Sequence, residues 1–159
     1  MKSSQAVGRA ASNVSPRGCT NLKLRQLTRR VGQHYDRIVG VAGLKTTQYS
    51  LLTYVAGLGP VRPGDIADAL EMDPSTLTRN LRPMLANGWL AIGPGTDGRT
   101  RSVTVTAAGR AKRAEAQCEW KRAQLAINKR LGDARVVELH ALLDDCLARI
   151  TAIEEEQDG

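Results

Sequence analysis

Two short helical segments separated by a tight break limit the possible folds of this chain more than any other feature of its sequence. Residues 63–70 (PGDIADAL) begin with a proline and have apolar side chains at helical spacing. After the break at 71–72 come Asp73 and Pro74, the residue types that cap and begin a helix, and this second helix is predicted to end before Gly88. The pair therefore predicts a helix-turn-helix unit.

The next stretch changes from a helical period to a strand period. Trp89–Ile92 is a short apolar run, and Val103 and Val105 alternate with polar residues that begin at Ser102, which is typical of a half-exposed strand. Between them lies a glycine-rich, basic segment, residues 93–101 (GPGTDGRTR). We expect a β-hairpin with a protruding tip, so the predicted fold class is mainly α with a small β-hairpin wing, a winged helix-turn-helix.

Longer helices flank this unit. A first helix over about residues 19–40 has an apolar stripe that includes Leu24 and Leu27, and a last helix over about residues 133–156 has apolar side chains at alternating spacings of 3 and 4. This seam consists of Val136, Leu139, Leu143, Cys146, Ile150 and Ile153. A 3.5-residue repeat is typical of a helix that packs along another helix, so the two stripes predict the interface of a homodimer formed by N- and C-terminal dimerisation helices.

Two further helices complete the predicted order. One begins near Thr46 or Thr47, either of which can cap it, and continues to about Gly57. The other spans about residues 107–129 and is capped by Thr106. Its predicted apolar stripe consists of Ala111, Ala114, Cys118 and Leu125. Because Cys118 and Cys146 lie on apolar stripes, both are predicted to be core residues, with contact between Cys146 and its dimer mate as the alternative for that residue.

Charge and composition narrow the class of partner. The 159 residues have a formal net charge of +7, which favours nucleic acid, although a membrane surface would attract the same charge. Aromatic residues make up only 3%, with no Phe, which disfavours RNA recognition by stacked aromatic platforms. No apolar run approaches the length of a membrane span, and residues 1–18 lack the apolar region of a secretory signal and are predicted to form a flexible basic tail.

Cysteine and histidine spacing gives a further expectation. The three cysteines form no CxxC pair and indicate a reduced, cytoplasmic location. The two histidines and three cysteines show no zinc spacing, so we expect neither a metal nor a cofactor.

The helix that starts at Pro74 has a polar face suited to double-stranded DNA. Ser75, Arg79 and Arg82 are spaced as i, i+4 and i+7, and Thr76 and Thr78 lie in the exposed N-terminal half. An α-helix fits the major groove, which is about 12 Å wide, where Arg reads guanine edges and hydroxyls bond bases or phosphates. We expect these side chains to contact DNA.

The hairpin tip supplies the second predicted contact. It places Arg99 where it can reach the minor groove, whose negative potential attracts Arg, and Arg101 where it can contact a phosphate. Asp97 would repel phosphate, so we interpret it as a brace for the wing.

These segments resemble the MarR-type transcriptional regulators over about residues 20–155. The DGR of the wing followed by VTVTAAG is the most specific match. The matching segments are Gln48 with Leu51 and Leu52, IADAL at 66–70, MDPSTLTRNLRPMLANGWL at 72–90, DGR at 97–99 and VTVTAAG at 103–109. Lys45 departs from the family, which often has Thr at this position.

The resemblance implies a two-fold dimer that represses transcription by binding a pseudo-palindromic operator. It places the family's wing arginine on Arg99 and its wing aspartate on Asp97. Residues 44–106 would then be the DNA-binding domain, and residues 19–40 and 107–159 the dimerisation region. Half-sites about 10 bp apart follow from the two-fold symmetry.

The resemblance also implies release of the DNA by a small aromatic or phenolic effector. Arg30, His34, Tyr35 and Tyr54 are the candidate lining residues, and Arg30 and His34 are spaced to hold a carboxylate. The alternative is a redox-responsive regulator that senses peroxide through Cys19 at the start of the first helix.

Two other classes of function have less support from the sequence than a regulator. An enzyme lacks support because no nucleophile–base pair, phosphate-binding loop or carboxylate pair is recognisable. A basic helical adaptor that binds proteins is compatible with the charge, but it would show no DNA footprint.

Overall fold

The computed structural model of the chain describes residues 17–95, 98 and 100–158, and side chains up to residue 153. The helices are α1 (Thr20–Val39), α2 (Thr46–Leu58), α3 (Pro63–Ala69), α4 (Pro74–Ala86), α5 (Ala107–Leu131) and α6 (Asp133–Asp158). A 3₁₀ turn (Gly40–Ala42) follows α1, and the strands β1 (Leu90–Pro94) and β2 (Arg101–Val105) separate α4 from α5. The mainly helical fold with one hairpin confirms the predicted fold class. The predicted tail at 1–18 lies almost wholly outside the described residues. Among the described helices, none is long and apolar enough to cross a membrane.

The central elements enclose one apolar core. Leu51 and Leu52 of α2, Ile66 of α3 and Met84 of α4 are fully buried, together with Val103 of the hairpin. Burying side chains of this size contributes about 1.5–3 kcal/mol each, so this cluster is the main stabilising element of the fold.

The hairpin pairs β1 with β2 in antiparallel register, with Ile92 opposite Val103. Val103 also exchanges two backbone hydrogen bonds with Val61, at 2.8 and 3.0 Å, so the segment before α3 adds a one-residue third strand. The predicted outward position of Ser102 is wrong, because its side chain is buried and its hydroxyl donates to the Pro94 carbonyl oxygen at 3.1 Å. This hydrogen bond satisfies the polar group that burial removes from water.

The hairpin is joined to α5 by a close backbone approach at Gly109. The Thr106 hydroxyl caps α5 by accepting from the Gly109 N–H at 2.9 Å, as the sequence predicted. A Cβ at Gly109 would lie 1.9 Å from the Trp89 carbonyl oxygen. Only glycine at position 109 therefore allows the first turn of α5 to lie so close to the backbone of Trp89, the residue before β1.

α1 packs antiparallel to α5 and also holds the start of α2. The Asp36 carboxylate accepts the Thr46 N–H at 2.8 Å, and Gln48 Oε1 accepts the Lys45 N–H at 2.9 Å. The predicted cap by Thr46 or Thr47 is therefore wrong, because a carboxylate from the preceding helix takes that role. The junction between α1 and α2 is thus fixed by a side chain ten residues away.

α5 and α6 pack differently from the predictions. α5 buries the small residues Gly109, Ala116 and Ala123, seven residues apart, whereas the predicted stripe Ala111, Ala114, Cys118 and Leu125 is exposed. The predicted core positions of Cys118 and Cys146 are also wrong, because both thiols are exposed within the chain. On α6, Val136 is buried, Leu139 and Leu143 are half-buried, and Ile150 and Ile153 are exposed.

Candidate nucleic-acid interface

The candidate recognition helix, α4, is anchored by its apolar face and capped by Asp73. Leu77, Leu81 and Met84 are buried against the core. The Asp73 carboxylate accepts the Thr76 N–H at 2.9 Å and the Ser75 and Thr76 hydroxyls at 2.5 and 2.6 Å. The hydrogen bonds from Ser75 and Thr76 hold the pKa of Asp73 well below its usual range. A charged cap therefore fixes where α4 begins.

The predicted DNA contacts of α4 fall into two groups. Ser75, Thr76 and Thr78 each donate to a protein acceptor, Asp73 for the first two and the Pro74 carbonyl oxygen for Thr78 at 2.8 Å. Their hydroxyls hold the first turn together and are not free donors. Arg79 and Arg82, in contrast, are exposed and form no hydrogen bond or ion pair with the described residues. The unpaired positive charge of the helix is thus concentrated one turn beyond its start.

α4 is also attached to the start of α2. Thr47 Oγ1 donates to Asn80 Oδ1 at 3.3 Å, and Asn80 Nδ2 donates to the Thr76 carbonyl oxygen at 2.9 Å. Beside this link, Lys45 and Arg79 line a common groove. Sequence reasoning missed Lys45 as a member of the basic surface, although its departure from the family pattern was the available signal.

The wing contributes one described candidate residue. Arg101 is exposed at the first position of β2, opposite Pro94. The turn closes through hydrogen bonds from the Gly95 N–H to the Thr100 carbonyl oxygen at 2.6 Å and from the Gly98 N–H to the Gly95 carbonyl oxygen at 3.0 Å. Arg99 and Asp97, the predicted tip contact and brace, lie outside the described residues.

The candidate effector residues of α1 are divided between two of the clefts beside this helix. The apolar cleft, about 510 Å³, lies between α1, α5 and α6 and contains Tyr35. Tyr35 donates to Gln124 Oε1 at 2.5 Å, and burial raises the pKa of its hydroxyl. Leu24, Val31, Trp120 and Leu139 are among the apolar side chains of the wall. The Thr46 hydroxyl, also in the wall, is buried with no hydrogen-bond partner among the described residues.

Arg30 and His34 lie in a separate cleft of about 340 Å³ between α1 and the end of α5, which we call the basic cleft. His34 is buried, and its Nε2 lies 3.0 Å from the Ala123 carbonyl oxygen, so this nitrogen carries the proton and donates. Tyr54 lines neither cleft, and its hydroxyl faces the Asp65 carbonyl oxygen at 3.5 Å. The predicted set therefore does not form one pocket.

Comparison with known proteins points to one family. The sequence profile of the MarR family matches residues 42–100. The chain is 30% identical to the *M. tuberculosis* transcriptional regulator MosR in a crystal structure with DNA, over 84% of this chain and 98% of MosR, with a TM-score of 0.69. No curated protein gives a significant sequence match.

More distant structures share the fold. A probable transcriptional regulator from *Pseudomonas aeruginosa* is 22% identical over 80% of this chain and 96% of its own, with a TM-score of 0.74. A cysteine-to-serine variant of MarR from *E. coli*, complexed with operator DNA, is 19% identical over 80% of this chain and 92% of its own, with a TM-score of 0.73.

Proposed function

The chain belongs to the MarR family of transcriptional regulators, and on that premise we propose that it acts as a homodimeric repressor that binds a pseudo-palindromic operator. Residues 44–106 form the DNA-binding domain, and residues 19–40 and 107–159 form the dimerisation region. α4 occupies the major groove, and the hairpin reaches the adjacent minor groove.

The observation that supports DNA binding best is the pair of unpaired guanidinium groups on α4. Arg79 and Arg82 are exposed on a helix whose opposite face is anchored by buried Leu77 and Leu81. Because α4 is already held rigid in the free protein, less conformational entropy is lost when its Arg side chains bind DNA. Arg101 on the hairpin and Lys45, which shares a groove with Arg79, add exposed positive charge, and their phosphate contacts would orient α4.

The support for a homodimer is the apolar surface that the outer helices leave uncovered. Leu24 and Leu27 of α1 are 46% and 38% exposed, and Ile150 and Ile153 of α6 are 56% and 54% exposed. A second copy would cover both stripes, and two-fold symmetry would place two α4 helices on successive major grooves.

Binding to DNA from the region upstream of the protein's own gene tests this function. Fluorescence anisotropy over a range of salt concentrations is expected to show specific binding that weakens steeply with salt, because counterions are released. Arg79→Ala, Arg82→Ala and Arg99→Ala should each weaken it by about 1–3 kcal/mol. Lys121→Ala, an exposed cation on α5, is the matched control and should bind as the wild type does. Absence of duplex binding at low salt, or equal losses in the control, would refute the proposal.

We assign the effector to the apolar cleft beside Tyr35. The cleft combines apolar walls with the hydroxyls of Tyr35 and Thr46, a composition that suits a small phenolic or aromatic molecule. Its walls come from α1, α5 and α6 and include the first residue of α2, so an occupant would contact the junction between the dimerisation helices and the DNA-binding domain. Screening aromatic acids for release of bound operator tests the assignment, and Leu139→Trp, which fills the cleft, should abolish the response.

Peroxide sensing is the second candidate, supported by the exposure of Cys19 at the N-terminal end of α1. Treatment with peroxide should then release operator from the wild type but not from Cys19→Ser. Release that persists in Cys19→Ser would exclude this residue as the sensor.

A further inference from the structure

We propose that Asp36, Thr47 and Asn80 are positioning residues that set the angle of α4 relative to α1, and thereby the spacing of operator half-sites that the dimer accepts. Their hydrogen bonds run from α1, across the start of α2, to α4. Together with Thr46 and Thr76 they form what we call the junction network. This role rests on the proposed function and adds to it residues that act on DNA binding without contacting DNA.

The backbone between α1 and α2 leaves the angle between these helices adjustable. It contains Gly40 and Gly43, and Gly43 has a positive φ of 71°, in a region that L side chains rarely adopt. One backbone hydrogen bond, from the Gly43 N–H to the Gly40 carbonyl oxygen at 2.9 Å, closes this turn. Asp36 reaches across it, since its carboxylate accepts the Thr46 N–H at 2.8 Å. A directional hydrogen bond across two glycines therefore limits how far α2 can rotate relative to α1.

The residue after Thr46 carries the connection to α4. The Thr47 hydroxyl donates to Asn80 Oδ1 at 3.3 Å. Asn80 is half-buried, and its Nδ2 donates to the Thr76 carbonyl oxygen one turn earlier in α4, at 2.9 Å. Both polar groups of the Asn80 amide are thus engaged within the protein, which favours a positioning role for this residue over readout of a base.

Apolar packing alone would hold α4 against the core without fixing its rotation. Leu77, Leu81 and Met84 bury one face of the helix, but burial is favourable in proportion to area and has no preferred direction. Hydrogen bonds on the polar face have preferred distances and angles. The junction network therefore fixes the direction in which Arg79 projects relative to α1.

The angle between α1 and α4 matters for a two-fold dimer, because it decides how far apart the two copies of α4 lie. Half-sites about 10 bp apart place both copies on one side of the duplex. One inserted base pair moves a half-site by about 3.4 Å and rotates it by about 35°. A fixed angle penalises this change. A loosened angle would tolerate the change, but more conformational entropy would then be lost on binding to the correct spacing.

Fluorescence anisotropy with three duplexes tests this role. They are the operator mapped by footprinting upstream of the protein's own gene, the same operator with one base pair inserted between its half-sites, and a single half-site. The wild type should bind the mapped operator at least about tenfold more tightly than the inserted one. Thr47→Val removes the donor with little change in size. It should weaken operator binding about threefold to tenfold and reduce the spacing preference to about threefold or less.

Further variants separate positioning from a general loss of structure. Thr47→Ser keeps the hydroxyl and should behave as the wild type does, whereas Asp36→Ala should reduce the spacing preference as Thr47→Val does. Asn80→Ala removes the acceptor, and combining it with Thr47→Val should cost no more affinity than Asn80→Ala alone. Thr20→Val, the same exchange at an exposed position in the first turn of α1, is the matched control and should change both readouts less than about twofold. Circular dichroism checks that each variant is folded.

Three results would overturn the positioning role. One is an unchanged spacing preference in Thr47→Val or Asp36→Ala. Another is an equal loss of affinity for the operator and the single half-site in Thr47→Val, which would make the Thr47 hydroxyl a direct DNA contact. The third is additive losses in the double variant, which would show that Thr47 and Asn80 act independently. If the wild type itself binds none of the duplexes, the proposed function fails as well, so the two failures are distinguishable.

Discussion

The winged-helix unit and the outer helices use their apolar residues in opposite ways. Between Leu44 and Val103, most of the large apolar side chains pack into one core and several of them are fully buried, whereas Leu58 and Ile92 are exposed. On α1, α5 and α6, apolar side chains such as Leu125, Val137 and Ile150 are more than half exposed. The first region buries most of its apolar side chains within one chain, whereas the second has apolar surface that no other described residue covers.

This contrast indicates how the two regions divide their roles. A closed core holds α4 rigid, so its arginines project from a fixed position. In the proposed dimer, the open apolar faces would make the stability of the outer helices depend on assembly, because an uncovered Ile or Leu forgoes part of the about 1.5–3 kcal/mol that full burial contributes. Stability of the first region should therefore be insensitive to protein concentration, while order in the second should depend on it.

The largest effect expected from a single substitution lies where the two regions meet. Gly109→Ala should lower the free energy of unfolding by about 3 kcal/mol, because the added Cβ would overlap the Trp89 carbonyl oxygen at 1.9 Å. Gly57→Ala is the matched control, since no atom lies within 4 Å of its Cβ position and the change in α2 should stabilise by up to about 1 kcal/mol. Urea unfolding measures both, and similar values for the two variants would contradict the close approach of α5.

The second-largest effect is expected on the association of two chains and not on the folding of one. Ile150→Glu places a charge on the exposed face of α6 and should weaken dimerisation by about 100-fold or more. Sedimentation equilibrium measures the association constant. Leu58→Glu, at an apolar position of α2 that is 60% exposed, should leave association unchanged. If both substitutions weaken it equally, the two regions do not differ in the way described.

A smaller effect is expected at the hydrogen bond between α1 and α2. Asp36→Ala removes the acceptor for the Thr46 N–H and should cost about 1 kcal/mol, as the loss of a helix cap does. Hydrogen exchange should then show reduced protection of the Thr46 amide. Asp36→Asn keeps a side-chain oxygen and should lose less, so identical behaviour of the two variants would exclude this capping role.

The smallest effect is a pH dependence confined to the winged-helix unit. Hydrogen bonds from Ser75 and Thr76 lower the pKa of Asp73 in the folded chain, so the stabilisation is fully present above the unfolded pKa near 4. It is lost as the pH falls below that value, because the carboxylate must be protonated against its donors. Melting temperatures between pH 6 and pH 2.5 should therefore fall more steeply for the wild type than for Asp73→Asn, and parallel curves would contradict this assignment.

Much of the fold could be predicted because the capping and turn residues lie where the helical or strand spacing of the apolar residues begins and ends. Asp73 and Pro74 start α4 where expected, Thr106 caps α5, and the hairpin pairs around the glycine-rich turn. On the candidate interface, Arg79 and Arg82 are exposed as predicted, and the positions of Asp97 and Arg99 remain predictions. The hydroxyls of Ser75, Thr76 and Thr78 donate to nearby protein acceptors, and their contacts with DNA also remain predictions.

By itself, the sequence determined where most helices and strands begin and end, because caps, prolines and glycines act within a few residues; α2, whose first N–H is held by Asp36, is the exception. It also determined the basic character of α4, since charge is a property of residue type. Only the tertiary structure decided which apolar stripe is covered, because α5 turns Ala116 and Ala123 inward for close helix packing and leaves Leu125 outside. Likewise, only packing brought His34 to the Ala123 carbonyl oxygen and Asp36 to Thr46, since such contacts depend on how α1 lies against its neighbours.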